Sequence, residues 1–234
     1  MNAIVAAGVY RRFGRRWALV DVSAEVTEGA LVMITGRNGS GKSTLLRVLA
    51  TAIRADHGTV HILGLDVQRD REELRRKLAL LGHCTNLYAP LTALENLEVV
   101  ARFLGMDRRR NTLLSRLEEV GLAGRANDPV QSFSAGMRRR LALARLLQQE
   151  AQVVMLDEPY GHLDPAGFQL VDRVLQRLRG QGVTVLFATH LLRRGQAMCD
   201  RALVLDSGRL IFAGPAAELP EPAGVDVESF KEGA

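Results

Sequence analysis

Cysteine is nearly absent from this chain, with only Cys84 and Cys199 among its 234 residues. That scarcity excludes a disulfide framework and the zinc patterns built on paired cysteines, and it suits a reducing, cytosolic compartment. Aromatic side chains are also rare, at 5% of residues with a single tryptophan. Such a composition does not indicate a nucleic-acid surface that stacks bases on interleaved aromatics. No apolar run approaches the ~18 residues needed to cross a bilayer. The opening MNAIVAAGVYRRFG has no basic stretch ahead of its short apolar run, so it does not read as a secretory signal. Internal repeats and long low-complexity linkers are missing as well.

What is present in quantity is positive charge. Lys and Arg number 31 against 26 acids, for a net charge of +5. The charge gathers in RRFGRR (11–16), DRRR (107–110) and MRRR (137–140). Such clusters can serve a nucleic acid or an anionic membrane. Solvated faces account for them too, and no nucleic-acid partner is expected. A hydrophobic content of 47% over this length suits one large soluble domain with a sizeable core.

The stretch GRNGSGKST carries the first chemistry. Its residues are Gly36, Arg37, Asn38, Gly39, Ser40, Gly41, Lys42, Ser43 and Thr44. It follows the apolar run ALVMIT, which reads as a buried strand, and precedes STLLRVLATAI, which has helical apolar spacing. Strand, glycine loop and helix together mark a phosphate-binding loop. The glycines let the backbone curl and turn its N–H groups toward one point, where the helix also directs its positive end. Lys42 adds a full charge for the outer phosphates, Ser43 a hydroxyl for Mg²⁺, and Thr44 a reach to an inner phosphate. The loop therefore binds a nucleoside triphosphate.

The rest of the chain predicts an α/β fold with a β-rich start. Alternation over the first thirty-odd residues predicts antiparallel strands, and 57–67 a strand pair. A charged helix is expected over DREELRRKLALL, ending at Gly82. From about 92 to 150 the pattern is mostly helical. AQVVMLDEP and VTVLFATH read as buried parallel strands separated by a helix, and RALVLDSGRLIFAG as a strand pair turning at Ser207 and Gly208. The remaining tail is acidic, bears prolines and is expected to be loosely attached. Gly36, Asp157 and His190 each lie just past a strand end, where ligands sit in such sheets. Asp157 can hold Mg²⁺ through water, and Glu158 beside it can polarise a water for attack on the γ-phosphate.

With these motifs in order over about residues 3–214, the chain resembles a nucleotide-binding domain of the ABC ATPase family. SFSAGMRRRLALARLL resembles the family's signature stretch, here Ser134, Ala135, Gly136 and Met137. HLDP, with Asp164, resembles the loop that communicates across a dimer, and ATH, with His190, the switch histidine at the γ-phosphate. RRFGRRWAL resembles the adenine-stacking entry and makes Phe13 the ring, with Trp17 assigned to packing. Aligning LTALENL places His83 where the family carries a glutamine that contacts water or the metal. Met137 also stands where glutamine is commoner, and Ala135 replaces a glycine. The resemblance implies a P-loop NTPase of ABC type over 1–216, with a helical subdomain inserted at about 85–150 and a tail over 217–234. It implies ATP and Mg²⁺ as ligands, with hydrolysis by Glu158, His190 and Lys42. It further implies a second ATPase subunit, docked head to tail so that Ser134 and Gly136 face the other copy's loop.

An ATPase of this kind passes its work to a partner. Transmembrane permease subunits at the cytoplasmic face of the membrane are the leading expectation, with a groove between the helical segment and the His83 loop accepting a permease helix. A soluble nucleic-acid ATPase would need a coiled coil or two linked halves, and a small-molecule kinase would lack the signature stretch. Within transporters, the Gly82–His83 pair, residues 121–147 and the short length resemble the haem exporter ATPase of cytochrome c maturation, implying haem-handling partners. The alternative is an ABC-2-type exporter of drugs, lipids or polysaccharides.

Overall fold

The computed structural model describes residues 1–219. Two strands open the chain, β1 (Asn2–Phe13) and β2 (Arg16–Thr27), paired antiparallel. After β3 (Leu31–Thr35) come α1 (Lys42–Leu49), β4 (His57–Ile62), β5 (Leu65–Asp66), α2 (Arg71–Lys77) and β6 (Leu78–Leu81). A helical stretch follows, with α3 (Ala93–Leu104), α4 (Arg110–Glu119) and α5 (Ala135–Gln148). The chain then alternates through β7 (Val153–Asp157), α6 (Pro165–Gly180), β8 (Thr184–Ala188) and α7 (Leu192–Met198), and closes on β9 (Arg201–Asp206) and β10 (Arg209–Pro215).

The strands form two sheets. One is antiparallel, in the order β2-β1-β4-β5. The other runs β10-β9-β3-β8-β7-β6 and is parallel apart from β10. Every residue of β3, β7 and β8 is buried, as expected for strands covered on both faces. Alternation divides them between two cores. Val32 and Ile34 join α1 and the antiparallel sheet in one core, whereas Leu31 and Met33 join α6 and the helical stretch in the other. The core of α3–α5 is thus continuous with one face of the parallel sheet.

Two expectations are corrected. The charged helix stops at Lys77, and Leu78–Leu81 instead forms β6, parallel to β7. Leu78 and Leu80 face one core and Ala79 and Leu81 the other. Four consecutive apolar residues suit a last helical turn equally well, and burial on both faces decides for the strand. The tail does not loosen at residue 217, because Ala216–Glu218 forms a 3₁₀ turn and Leu219 packs against the core. The rest of that tail, 220–234, lies outside the described residues. Helix α7, which sequence reading passed over, has only seven residues and contacts β3 and α6.

The loop between β6 and α3, which carries His83, is fastened by two polar side chains. Asn96 is 1% exposed inside α3. Its amide nitrogen donates to the carbonyls of Tyr88 (3.0 Å) and Thr92 (2.9 Å), and its oxygen accepts from Tyr88 N–H (2.8 Å). From α5, Arg145 donates to the carbonyls of Thr85 and Asn86, each at 2.6 Å. Replacing Asn96 with alanine would leave the Tyr88 N–H without its acceptor and remove two bonds to loop carbonyls. Asn96→Ala is expected to lower stability by about 2–3 kcal/mol, read as an earlier urea midpoint; an unchanged midpoint would show that Asn96 does not anchor this loop.

Candidate functional site

The site forms where three neighbouring strands end together. β3, β8 and β7 lie side by side, with Ile34 opposite Ala188 and Ala188 opposite Asp157. Past β3 runs the glycine loop, past β8 come Thr189 and His190, and Asp157 and Glu158 close β7. Three segments distant in sequence therefore meet at one edge.

The loop is locked by its glycines. Gly36, Gly39 and Gly41 have φ of 139°, 80° and 109°, a region that favours glycine. A Cβ on Gly36 would lie 2.0 Å from the Leu205 carbonyl oxygen, and one on Gly41 2.5 Å from that of Ala18. The loop is thus clamped between β9 and β2. Helix α1 starts at Lys42 with no side-chain cap and no acid in its first turn, so its leading N–H groups remain available to an anion. The Lys42 ammonium donates to the carbonyls of Gly36 (2.7 Å) and Arg37 (3.1 Å). Burial lowers its pKa, while Glu158 and Asp157 oppose that shift. Ser40 Oγ is buried with no partner.

These features fit a triphosphate: an open helix start, a buried ammonium and curled glycines around one point. Ser43 is exposed at the head of α1, and Asp157 is 4% exposed at the end of β7. No group of three or more His, Cys, Asp or Glu able to hold a metal occurs among the described residues. A Mg²⁺ ion here would draw most of its ligands from nucleotide oxygens and water, its usual habit.

Glu158 adopts φ 48° and its carboxylate meets His190 Nδ1 at 2.9 Å. It also lines a cavity of 660 Å³ with His83, Cys84, Ala135, Arg138 and His162. His83 is exposed there, and His162, read from sequence as an ordinary polar position, borders the same space. Ser134 caps α5, its Oγ accepting from Met137 N–H at 3.2 Å. Gly136 packs closely, for an added Cβ would stand 3.1 Å from the His162 carbonyl oxygen. Asp164 caps α6 through Gly167 N–H (2.7 Å) and accepts from Arg140 (3.1 Å). The Gly167 amide is the main reason its carboxyl stays below the usual range. None of residues 36–44 lines the cavity that Ala135 borders.

The β1–β2 hairpin carries two exposed rings. Phe13 is 48% exposed, with the Arg11 guanidinium 4.8 Å from its ring centre. Trp17 is 41% exposed, edge-on to Tyr10 and 5.6 Å from the Arg12 guanidinium. The basic clusters are engaged in part within the chain. Arg11 pairs with Asp56, Arg109 with Asp107, and Arg140 with Asp164.

Sequence reading missed Arg139. It is 4% exposed and donates to the carbonyls of Gly82 (2.8 Å), Asp157 (2.5 Å) and Glu158 (2.6 Å). The signal was present, because Arg139 falls on the α5 stripe shared with Ala142, Leu143, Leu146 and Leu147, at the spacing of a buried helix face.

A methyl group at Gly36 tests the loop's fit. Gly36→Ala is expected to cost about 3 kcal/mol or more and to abolish ATP binding, read by thermal unfolding and nucleotide fluorescence. Native stability with native affinity would refute the tight apposition of the loop and β9.

Comparison with known proteins agrees with this geometry. Residues 19–161 match the family model described as ABC transporter. The chain is 39% identical over 227 residues to the daunorubicin resistance ATP-binding protein DrrA3 of Streptomyces coeruleorubidus, spanning 96% of this chain and 72% of that protein. It is 34% identical over 228 residues to the Nod factor export ATP-binding protein I of Mesorhizobium japonicum, spanning 96% and 67%. A solved dimer of the ATP-binding cassette MJ0796, in a post-hydrolysis state with ADP and Pi, superposes with a TM-score of 0.84 at 28% identity, covering 91% of this chain and 98% of that one. The chain belongs to the ABC transporter family, as one of its ATP-binding, ATP-hydrolysing cassettes.

Proposed function

We propose that this chain drives a membrane exporter of the ABC-2 kind, working as a head-to-tail pair beneath a separate permease. The observation that carries the reading is similarity across nearly the whole chain to subunits named for daunorubicin resistance and for Nod factor export. The haem-exporter expectation rested on His83, residues 121–147 and chain length. The relatives' names favour the general exporter instead, and haem-handling partners leave the proposal. No helix of the described residues is long and apolar enough to cross a membrane, which supports peripheral attachment to the permease at the cytoplasmic face. The cavity between the His83 loop and α5 would receive a permease segment.

The chemistry follows from the strand ends. Phe13 stacks on the adenine, and the loop from Gly36 to Thr44 surrounds the phosphates. Lys42 leaves the two loop carbonyls and turns its charge to the outer phosphates. Ser43 and, through water, Asp157 would hold Mg²⁺, which would offset charge on the phosphate oxygens; His83 lies in the cavity beside Glu158. Glu158 accepts the proton of the attacking water. His190 holds that carboxylate through Nδ1 and presents Nε2 toward the terminal phosphate. Ser134 and the first amides of α5 form a second anion site, with Ala135, Gly136 and Met137, for the γ-phosphate bound by the partner copy. Asp164, tied to Arg140, lies close behind it. ATP then joins the two copies, and its hydrolysis releases them. The dimeric state of the MJ0796 cassette supports this arrangement.

Glu158→Gln removes the base and keeps the shape. Hydrolysis is expected to fall about 100-fold or more while ATP binding persists, and light scattering should show an ATP-dependent dimer. Sustained turnover would remove Glu158 from this role. The cargo class is tested by cross-linking that variant, with ATP, to its neighbours in native membranes. An exporter-type permease without haem proteins is expected, whereas a haem chaperone would restore the haem-export reading.

A further inference from the structure

We propose that Arg139 is a positioning residue for hydrolysis, holding the main chain of Glu158 in the conformation that delivers its carboxylate. This rests on Glu158 being the general base. Glu158 has φ 48° without being a glycine, a conformation that persists only where its surroundings enforce it. Both ends of the residue are pinned. Its N–H donates to the Ala188 carbonyl at 2.9 Å, and its own carbonyl accepts from Gly161 N–H at 3.0 Å and from Arg139 at 2.6 Å. The same guanidinium nitrogen reaches the Asp157 carbonyl at 2.5 Å, so Arg139 grips both carbonyls that flank the Asp157–Glu158 junction.

The other fork of Arg139 donates to the Gly82 carbonyl at 2.8 Å, next to His83. One side chain therefore joins α5, the end of β7 and the start of the His83 loop. Guanidinium suits this task because its planar donors reach several acceptors in fixed directions, whereas an ammonium is a single point. Packing alone does not explain the residue. Its neighbours on the α5 stripe are Ala142, Leu143, Leu146 and Leu147, and a leucine would fill the position without the cost of burying a charge. Arg139 Nε has no partner, so every hydrogen bond of the side chain comes from its fork. The carboxylates of Asp157 and Glu158 stabilise its charge against burial.

Arg139→Lys and Arg139→Gln test this, each alone and combined with Glu158→Gln. Turnover per nucleotide-binding molecule is expected to fall at least tenfold in both single variants. ATP affinity and KM should stay within about threefold. The combined variants should still form the ATP-trapped dimer, because Arg139 acts on the base and not on nucleotide or partner. Lysine keeps the charge and most of the stem, so it carries the test if the glutamine variant does not fold. Native turnover in a folded Arg139 variant overturns the proposal, and so does loss of ATP trapping in the combined variants, which would make Arg139 a support of α5 alone. High activity of Glu158→Gln by itself would instead refute the general-base reading. An inactive Glu158→Gln beside a fully active Arg139→Lys would refute only the role of Arg139.

Discussion

Parallel pairing of β3, β8 and β7 is the constraint on which the site depends. Backbone hydrogen bonds between adjacent strands set the register, and that register brings the glycine loop, His190 and Asp157 to one edge. The strands are wholly buried, so they resist sliding: a shift of one residue would exchange the faces of two different cores. Val32 and Ile34 could not trade places with Leu31 and Met33 without repacking α1 and α6 together. A buried sheet thus holds the site's groups together at its rim.

Around that rim, two arginines on α5, Arg139 buried and Arg145 half-buried, tie the helix to its neighbours by hydrogen bonds. Arg139 reaches Gly82, Asp157 and Glu158, and Arg145 reaches Thr85 and Asn86. Both act on main-chain carbonyls at the end of β7 and in the loop after β6. Asn96 does the same from α3. The helical stretch is therefore bonded to the catalytic edge as well as packed against the sheet. Under the proposed function, the segment that would meet a permease and the loop that would hold phosphate are linked by these few side chains, a physical route for coupling one to the other.

The cavity between these parts has a mixed character that suits a transient occupant. His83, His162 and Glu158 give it polar edges, while Leu87, Ala89 and Val130 give it apolar floor. Its lining comes from the His83 loop, the approach to α5 and the turn after β7. Any segment seated there would touch Glu158 and α5 together.

The sequence by itself determined the glycine loop, the acids after β7, His190 and the order of most strands and helices. Each of those signals is local, resting on spacing within a few residues and on flanking apolar runs. It did not decide Leu78–Leu81, whose apolar run suits helix and strand alike until β7 pairs with it. Nor did it separate Arg139, Arg140 and the exposed Arg138, which read as one basic cluster. Only tertiary structure assigns one to three carbonyls, one to Asp164 and one to solvent, because helix phase and the position of β7 fix which arginine faces inward. The left-handed Glu158 was equally hidden, since it arises from restraints at Ala188, Gly161 and Arg139, all distant or turn-mediated. Chemistry that depends on residue type and short spacing is written along the chain, whereas chemistry that depends on which buried group meets which carbonyl exists only once the two cores have closed.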